Sequence, residues 1–228
     1  MSQRRVDPAA TVAAAYDVWS ATYDHDDNPM IAMADRALAA VLPRAAGWSV
    51  LELGCGTGRN AAALLAAGAA RYVGVDVSAG MLAHARARVA DARATWLEAD
   101  LVAELPGVGA CDLVLFSLVL EHVAELPPVI ARAAAALAPG GVVRIHEIHP
   151  LLRAGGTQAH YRADGRDVPV ASFPHTLEDL QAAIAAAGLV ATAITDGIAT
   201  EADLARSGKL AKHLGRPVLI EIEARRPG

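Results

Sequence analysis

Cysteine is scarce in this 228-residue chain: Cys55 lies inside a glycine-rich turn and Cys111 opens an apolar run. So placed, the pair reads as small, buried, reduced side chains. That argues against a disulfide framework and for a cytoplasmic setting. Lysine is equally rare, Lys209 and Lys212 being the only ones; no Lys/Arg cluster stands out and the formal net charge is −5. A nucleic-acid partner demands a basic groove, so none is expected. There is no run of 18 or more uninterrupted apolar residues, so no membrane partner is expected either. The polar opening Met1 to Asp7 does not read as a secretory leader. With 54% hydrophobic and 20% charged residues the chain can bury a substantial core, and its length suits one domain with small additions.

What is present centres on Leu51-Glu52-Leu53-Gly54-Cys55-Gly56-Thr57-Gly58-Arg59-Asn60. An apolar strand runs into three glycines at alternate positions, and an Ala-rich helix follows. Gly54 and Gly56 let a ligand approach bare backbone, and the free N–H groups at the helix start face it. The pattern Gly54-x-Gly56-x-Gly58 differs from the dinucleotide fingerprint G-x-G-x-x-G. Two more strands then end in acids: Arg71 to Asp76, and Thr95 to Leu101, which contains Asp100. A carboxylate at such a tip can accept both hydroxyls of a ribose.

Helical spacing over Pro8 to Ser20, with Asp7 before Pro8, and over Met30 to Leu42 predicts two N-terminal helices. Helices are also predicted over Ala79 to Asp91 after the cap Ser78, Glu125 to Leu137, and Thr176 to Ala187 with Thr176 as cap and Gly188 as stop. The apolar run Cys111 to Phe116 predicts a central strand, Gly141 to Ile148 a fifth and Leu189 to Thr195 a sixth. Arg216 to Ala224 alternates as a terminal antiparallel strand, after a Gly197 to Gly215 stretch that reads as mobile. Strand and helix alternate, so right-handed crossovers build a parallel sheet covered on both faces. Residues 149 to 175 interrupt the pattern as a polar insertion, a length that usually signals a functional loop.

Together these stretches resemble a class I S-adenosylmethionine-dependent methyltransferase of small-molecule type. Glu52 to Gly58 match its first motif, Val73 to Ser78 its second, Ala99 to Leu101 its third and Leu137 to Gly141 its later turn, within roughly residues 45 to 195. The resemblance implies an α/β fold: a doubly wound, mostly parallel seven-stranded sheet, with N-terminal lid helices and an insertion after strand five. Residues 1–228 then form a single domain, with the lid at 1–44, the cofactor-binding core at 45–148, the substrate-side insertion at 149–175 and the end of the sheet at 176–228. It further implies S-adenosyl-L-methionine held by Tyr23, Glu52, Gly54, Cys55, Gly56, Gly58, Asp76, Val77, Asp100, Leu101 and Ser117. In that scheme Glu52 orients the amino group, Asp76 takes the ribose hydroxyls, and Asp100 with the Leu101 N–H takes the adenine. A Tyr-Asp pair, Tyr16-Asp17 or Tyr23-Asp24, closes over the ligand.

Methyl transfer to a hydroxyl or an acidic carbon needs a proton acceptor, whereas a neutral amine needs little help. The end of the fifth strand offers His149 as base, with Glu147 on the same face to orient it; His122, beyond the fourth strand, is a further candidate. Tyr16, His160, Tyr161 and His175 are candidate substrate walls, and Arg153 or Arg162 could meet an anionic end. His146, Glu147 and His149 lack tetrahedral-site spacing, so no metal is expected. The Asn/Asp-Pro-Pro-Tyr/Phe motif of protein-amide and DNA-amine methylators is absent, which favours a small organic substrate. Monomer and homodimer both remain open. The alternative is a lyase, cyclase or isomerase that binds S-adenosylmethionine without transferring its methyl.

Overall fold

The computed structural model describes residues 8–101, 108–163 and 165–227; the expected cap Asp7 lies outside them. Helices α1 (Pro8–Trp19) and α2 (Pro29–Ala39) come first. The alternation follows as β1 (Ser49–Leu53), α3 (Arg59–Ala66), β2 (Arg71–Asp76), α4 (Ala79–Arg88), β3 (Ala94–Glu98), β4 (Cys111–Ser117), α5 (Leu126–Ala136) and β5 (Leu137–Ile148). The insertion carries α6 (Pro150–Ala154) and a hairpin, β6 (His160–Ala163) with β7 (Arg166–Pro169). Then come α7 (Leu177–Ala186), β8 (Val190–Ile198) and β9 (Pro217–Arg225).

Among the described residues the main sheet has seven strands in the order β3-β2-β1-β4-β5-β9-β8. β1 to β5 run parallel, and β9 is antiparallel to both of its neighbours. Chain order reverses between β1 and β4, and a crevice at the strand tips there is where such sheets bind ligands.

Side-chain alternation sorts the two faces. Leu51 and Leu53 pack with Val114, Phe116 and Ile145 under α5 and α7, while Val50, Tyr72, Leu113 and Leu115 pack under α3 and α4. Caps behave as their chemistry dictates: Asn28 Oδ1 accepts from Met30 N (2.9 Å), Ser78 Oγ from Met81 N (3.1 Å), and Thr176 with Asp179 forms a reciprocal capping box.

Two expectations are revised. β5 begins at Leu137 rather than Gly141, because the Leu137–Gly141 turn is drawn into the strand through an irregularity opposite Cys111 and Leu113. Gly197 to Gly215 is built rather than mobile. It holds two 3₁₀ turns, Glu201–Ala205 and Gly208–His213, fixed by the Thr200/Asp203 capping box, an Arg36–Asp203 ion pair (2.6 Å) and a fully buried Leu210. Among the described residues no helix is long and apolar enough to cross a membrane.

Candidate active site

The glycine turn is shaped by its own hydrogen bonds. Gly54 N and Cys55 N both donate to Val75 O (2.8 and 2.9 Å), and Gly56 N donates to Asp76 Oδ2 (2.8 Å). Gly54, Gly56 and Gly58 have φ of +81°, +52° and +72°. A Cβ at Gly54 would lie 2.3 Å from Val119 Cγ2, so that position excludes every other residue. The second oxygen of Asp76 accepts from Ser78 N (2.9 Å). Burial raises the Asp76 pKa, and the N–H donors of Ser78, Gly56 and Val77 oppose that shift. Asp76 therefore braces the turn while its remaining lone pairs face an open cleft of about 690 Å³, including its mouth. Tyr16, Tyr23, Gly54, Gly56, Val77, Asp100, Leu101, Ser117 and His122 line the same cleft. Ser117 Oγ is buried there without a hydrogen-bond partner, and a Cβ at Gly56 would meet nothing within 4 Å. Carboxylates at two strand tips, a bare turn and an orphaned hydroxyl fit a nucleoside carrying an amino-acid tail.

Three expected cofactor residues lie outside that lining. Strand alternation puts Glu52 on the Val50 face, beneath α3, where its carboxylate accepts from Asn60 Nδ2 (2.7 Å) and from the Tyr72 hydroxyl. Burial pushes its pKa up to about 7. Cys55 is buried with a raised thiol pKa. Gly58 caps α3, where a Cβ would meet Trp96 at 2.8 Å, so its smallness serves helix packing.

Both Tyr-Asp pairs act as latches, with the acid gripping the rim and the tyrosine lining the cleft. Asp17 Oδ1 accepts from Ser78 Oγ (2.6 Å) and Gly80 N (2.9 Å). Asp24 accepts from Thr57 Oγ1 (2.8 Å) and pairs with Arg88.

A family model described as a methyltransferase domain matches residues 50–141. The solved structure of an S-adenosylmethionine dependent methyltransferase from Mesorhizobium loti is 28% identical, with a TM-score of 0.71 over 84% of this chain and 96% of that one. Residues 50–141 thus match a methyltransferase domain, and the fold is that of S-adenosylmethionine-dependent methyltransferases. Trans-aconitate 2-methyltransferase of Paracidovorax citrulli (strain AAC00-1) is 42% identical over 111 residues, 47% of this chain and 42% of that enzyme. Demethylmenaquinone methyltransferase of Clavibacter sepedonicus is 34% identical over 154 residues, 63% of this chain and 62% of that enzyme. The chain spans about half the length of the first relatives it matches.

A second open cavity of about 1490 Å³ adjoins the first, and Tyr16, Tyr23 and Leu118 line both. Its wall includes Trp19, His160 and Tyr161; Trp19 lies against Tyr16, Tyr23 and Tyr161 at centroid distances of 5.5, 4.9 and 6.2 Å. His122 Nε2 lies 2.8 Å from the Tyr16 hydroxyl, and its Nδ1 lies 2.8 Å from Ala171 O. His149 does not reach either cavity. It caps α6: Leu151 N donates to Nδ1 (3.2 Å), and Nε2 is 3.2 Å from Asp196 Oδ1.

Glu147 does not orient His149. Its carboxylate accepts from Val119 N and Leu120 N, each at 2.7 Å, and so shapes the loop that carries His122; burial pushes its pKa up to about 8. His175 Nε2 donates to Val123 O (2.7 Å), away from the larger cavity. Arg153 is turned inward, 3.2 Å from Glu121.

Leu118, which follows Ser117 at the β4 tip, lines both cavities with a φ of +58° that marks strain. Sequence reasoning missed Lys209, Lys212 and His213 on the larger cavity, which only the folded 208–213 turn brings there.

Proposed function

We propose that this chain methylates an O, N or C atom of a small organic molecule with S-adenosylmethionine, acting as a cytoplasmic monomer or homodimer. The reading rests on one observation: a cleft lined by Asp76, Asp100 and the glycine turn and a roomier cavity meet at Tyr16, Tyr23 and Leu118. When bound, S-adenosylmethionine supplies an electrophilic methyl group on a sulfonium sulfur. Asp76 accepts the ribose hydroxyls, Asp100 and the Leu101 N–H hold the base, and the Gly54–Gly56 backbone and Ser117 Oγ face the amino-acid end. Tyr23 covers the cleft, and Glu52 acts from beneath by fixing Asn60 at the start of α3. The insertion supplies His160 and Tyr161 to the substrate wall.

The base for an acceptor that carries a proton is His122, which lines the cofactor cleft, rather than the enclosed His149. Burial lowers the His122 pKa, so at neutral pH the ring is uncharged. A carbonyl only accepts, so Nδ1 carries the proton donated to Ala171 O. Nε2 is then left as the acceptor. Tyr16, whose pKa burial raises, keeps its proton and donates it to Nε2. When the acceptor's proton moves to the Tyr16 oxygen, the phenol's own proton passes to Nε2. The products are a neutral phenol and an imidazolium.

Calorimetric titration with S-adenosylmethionine, followed by mass spectrometry of the cofactor during a screen of small acceptors, tests the reading. Expected are saturable binding and one S-adenosylhomocysteine per methylated product. Absence of binding overturns it. Turnover of an acceptor with the cofactor intact would instead establish the lyase, cyclase or isomerase alternative.

A further inference from the structure

The only two lysines of the chain sit on the same wall of the larger cavity, within the 3₁₀ turn Gly208–His213. In a 3₁₀ turn residues i and i+3 eclipse, so Lys209 and Lys212 stand one above the other along a single edge. Leu210 between them is fully buried and packs with Met33, Ala37, Val218 and Leu219. The cations therefore project from an anchored wall.

Their electrostatic situation is unlike that of the neighbouring arginines. Arg36 is 2.6 Å from Asp203, Arg153 is 3.2 Å from Glu121 and Arg162 is 3.6 Å from Asp167. Among the described residues neither lysine has an ion pair or a hydrogen bond. The acids on this wall have partners of their own: Glu121 with Arg153, Asp167 with Arg162, and Asp26, which accepts from Trp19 Nε1 (2.8 Å). Asp27 is the exception, without a bonded partner among the described residues. His213 beside Lys212 is held neutral by burial and by the nearby Lys212 and Arg216 charges, so it adds a polar contact rather than a third cation. The rest of the wall offers the rings of Tyr16, Trp19, Tyr23 and Tyr161.

We propose that Lys209 and Lys212 form an anion-binding end of the substrate cavity. The methyl acceptor is then a small organic anion whose carboxylate or phosphate meets the two ammonium groups while its apolar body lies on the aromatic wall. This assignment rests on the methyltransferase reading for the identity of the cavity. It moves the anionic contact from Arg153 and Arg162, where the residue pattern places it, to the two cations that have no internal partner.

Because no other lysine exists, isotopically labelled lysine reports on these two side chains alone. The protein saturated with S-adenosylhomocysteine is titrated with citrate, with glycerol 3-phosphate, and with glycerol as the neutral control. The expected result is saturable movement of both lysine side-chain signals with at least one anion and none with glycerol; which anion acts distinguishes carboxylate from phosphate. In calorimetry the double variant Lys209→Gln/Lys212→Gln should bind that anion about tenfold more weakly, with S-adenosylhomocysteine affinity unchanged. Asp27→Asn should bind it more tightly. Non-saturable shifts with both anions, equal shifts with glycerol, or undiminished anion binding by the double variant overturns the proposal. Failure to bind S-adenosylhomocysteine counts against the methyltransferase reading instead, and the lysine titration is then read on the free protein.

Discussion

Tyr16 and His122 are joined by a 2.8 Å hydrogen bond across the junction of the two clefts, although 106 residues separate them in sequence. If the acceptor carries a proton, His122→Asn should cut turnover by about 10²–10⁴-fold, the usual worth of general-base assistance. Tyr16→Phe should produce a loss of the same kind, since it breaks the path to Nε2. Because burial holds the His122 pKa below its ordinary value, turnover should stay level from neutral pH down to about 6.5 and fall only below that. Turnover measured across pH for both variants checks this. A loss under about fivefold assigns the pair to packing.

Asp76 braces the glycine turn and lines the cleft, where it is the proposed acceptor of the ribose hydroxyls. Asp76→Ala should weaken S-adenosylmethionine binding by about 1.5–3 kcal/mol. It should also lower the melting temperature of the ligand-free protein, since Gly56 N and Ser78 N lose their acceptor. Calorimetry and thermal unfolding together separate the two effects. A binding loss with no change in melting would confine Asp76 to the ligand.

Arg153→Met tests the inward-facing arginine. Its side chain and that of Glu121 are 8% and 6% exposed, so the substitution leaves a buried carboxylate without its cation. Breaking such a pair costs about 3–5 kcal/mol, which a chemical denaturation curve would register. Arg162→Met, at a side chain 77% exposed, should change stability little.

Stability should fall as pH rises through neutrality. Burial raises Glu52 and Glu147 to about 7 and about 8, from 4.5. The folded state thus holds protons that the unfolded chain has released, and their stabilisation is complete below about pH 4.5 and lost as pH rises through 7 to 8. The slope from each group is at most on the order of 1.4 kcal/mol per pH unit. Glu147→Gln should flatten the upper part of that decline in melting temperature. An unchanged pH profile in this variant would assign the decline to other groups.

The centre of the sheet was legible because β1, β2 and β4 are short apolar runs closed by a glycine, an acid or a serine, and those signals are local. The placement of Asp76, Asp100 and Gly54 on one cleft was legible for the same reason, since the end of a strand and the turn after it are defined by one stretch of chain. The hydrogen-bond partners of the histidines were not. His149 sits at the right end of β5, yet its ring is consumed by a helix cap and by Asp196, a residue 47 positions away. His122 is held by Tyr16 on one side and Ala171 on the other, both remote in sequence. Lys209 and Lys212 lie in a stretch without helix or strand periodicity, where burial of a single leucine decides which way the turn faces.

The group that fixes the His122 tautomer is a main-chain carbonyl, that of Ala171. Every amino acid carries one, so substitution at residue 171 leaves the acceptor in place provided the backbone path is kept. Side chains of the insertion, including those of His160 and Tyr161 on the cavity wall, can thus be exchanged without moving the proton on Nδ1.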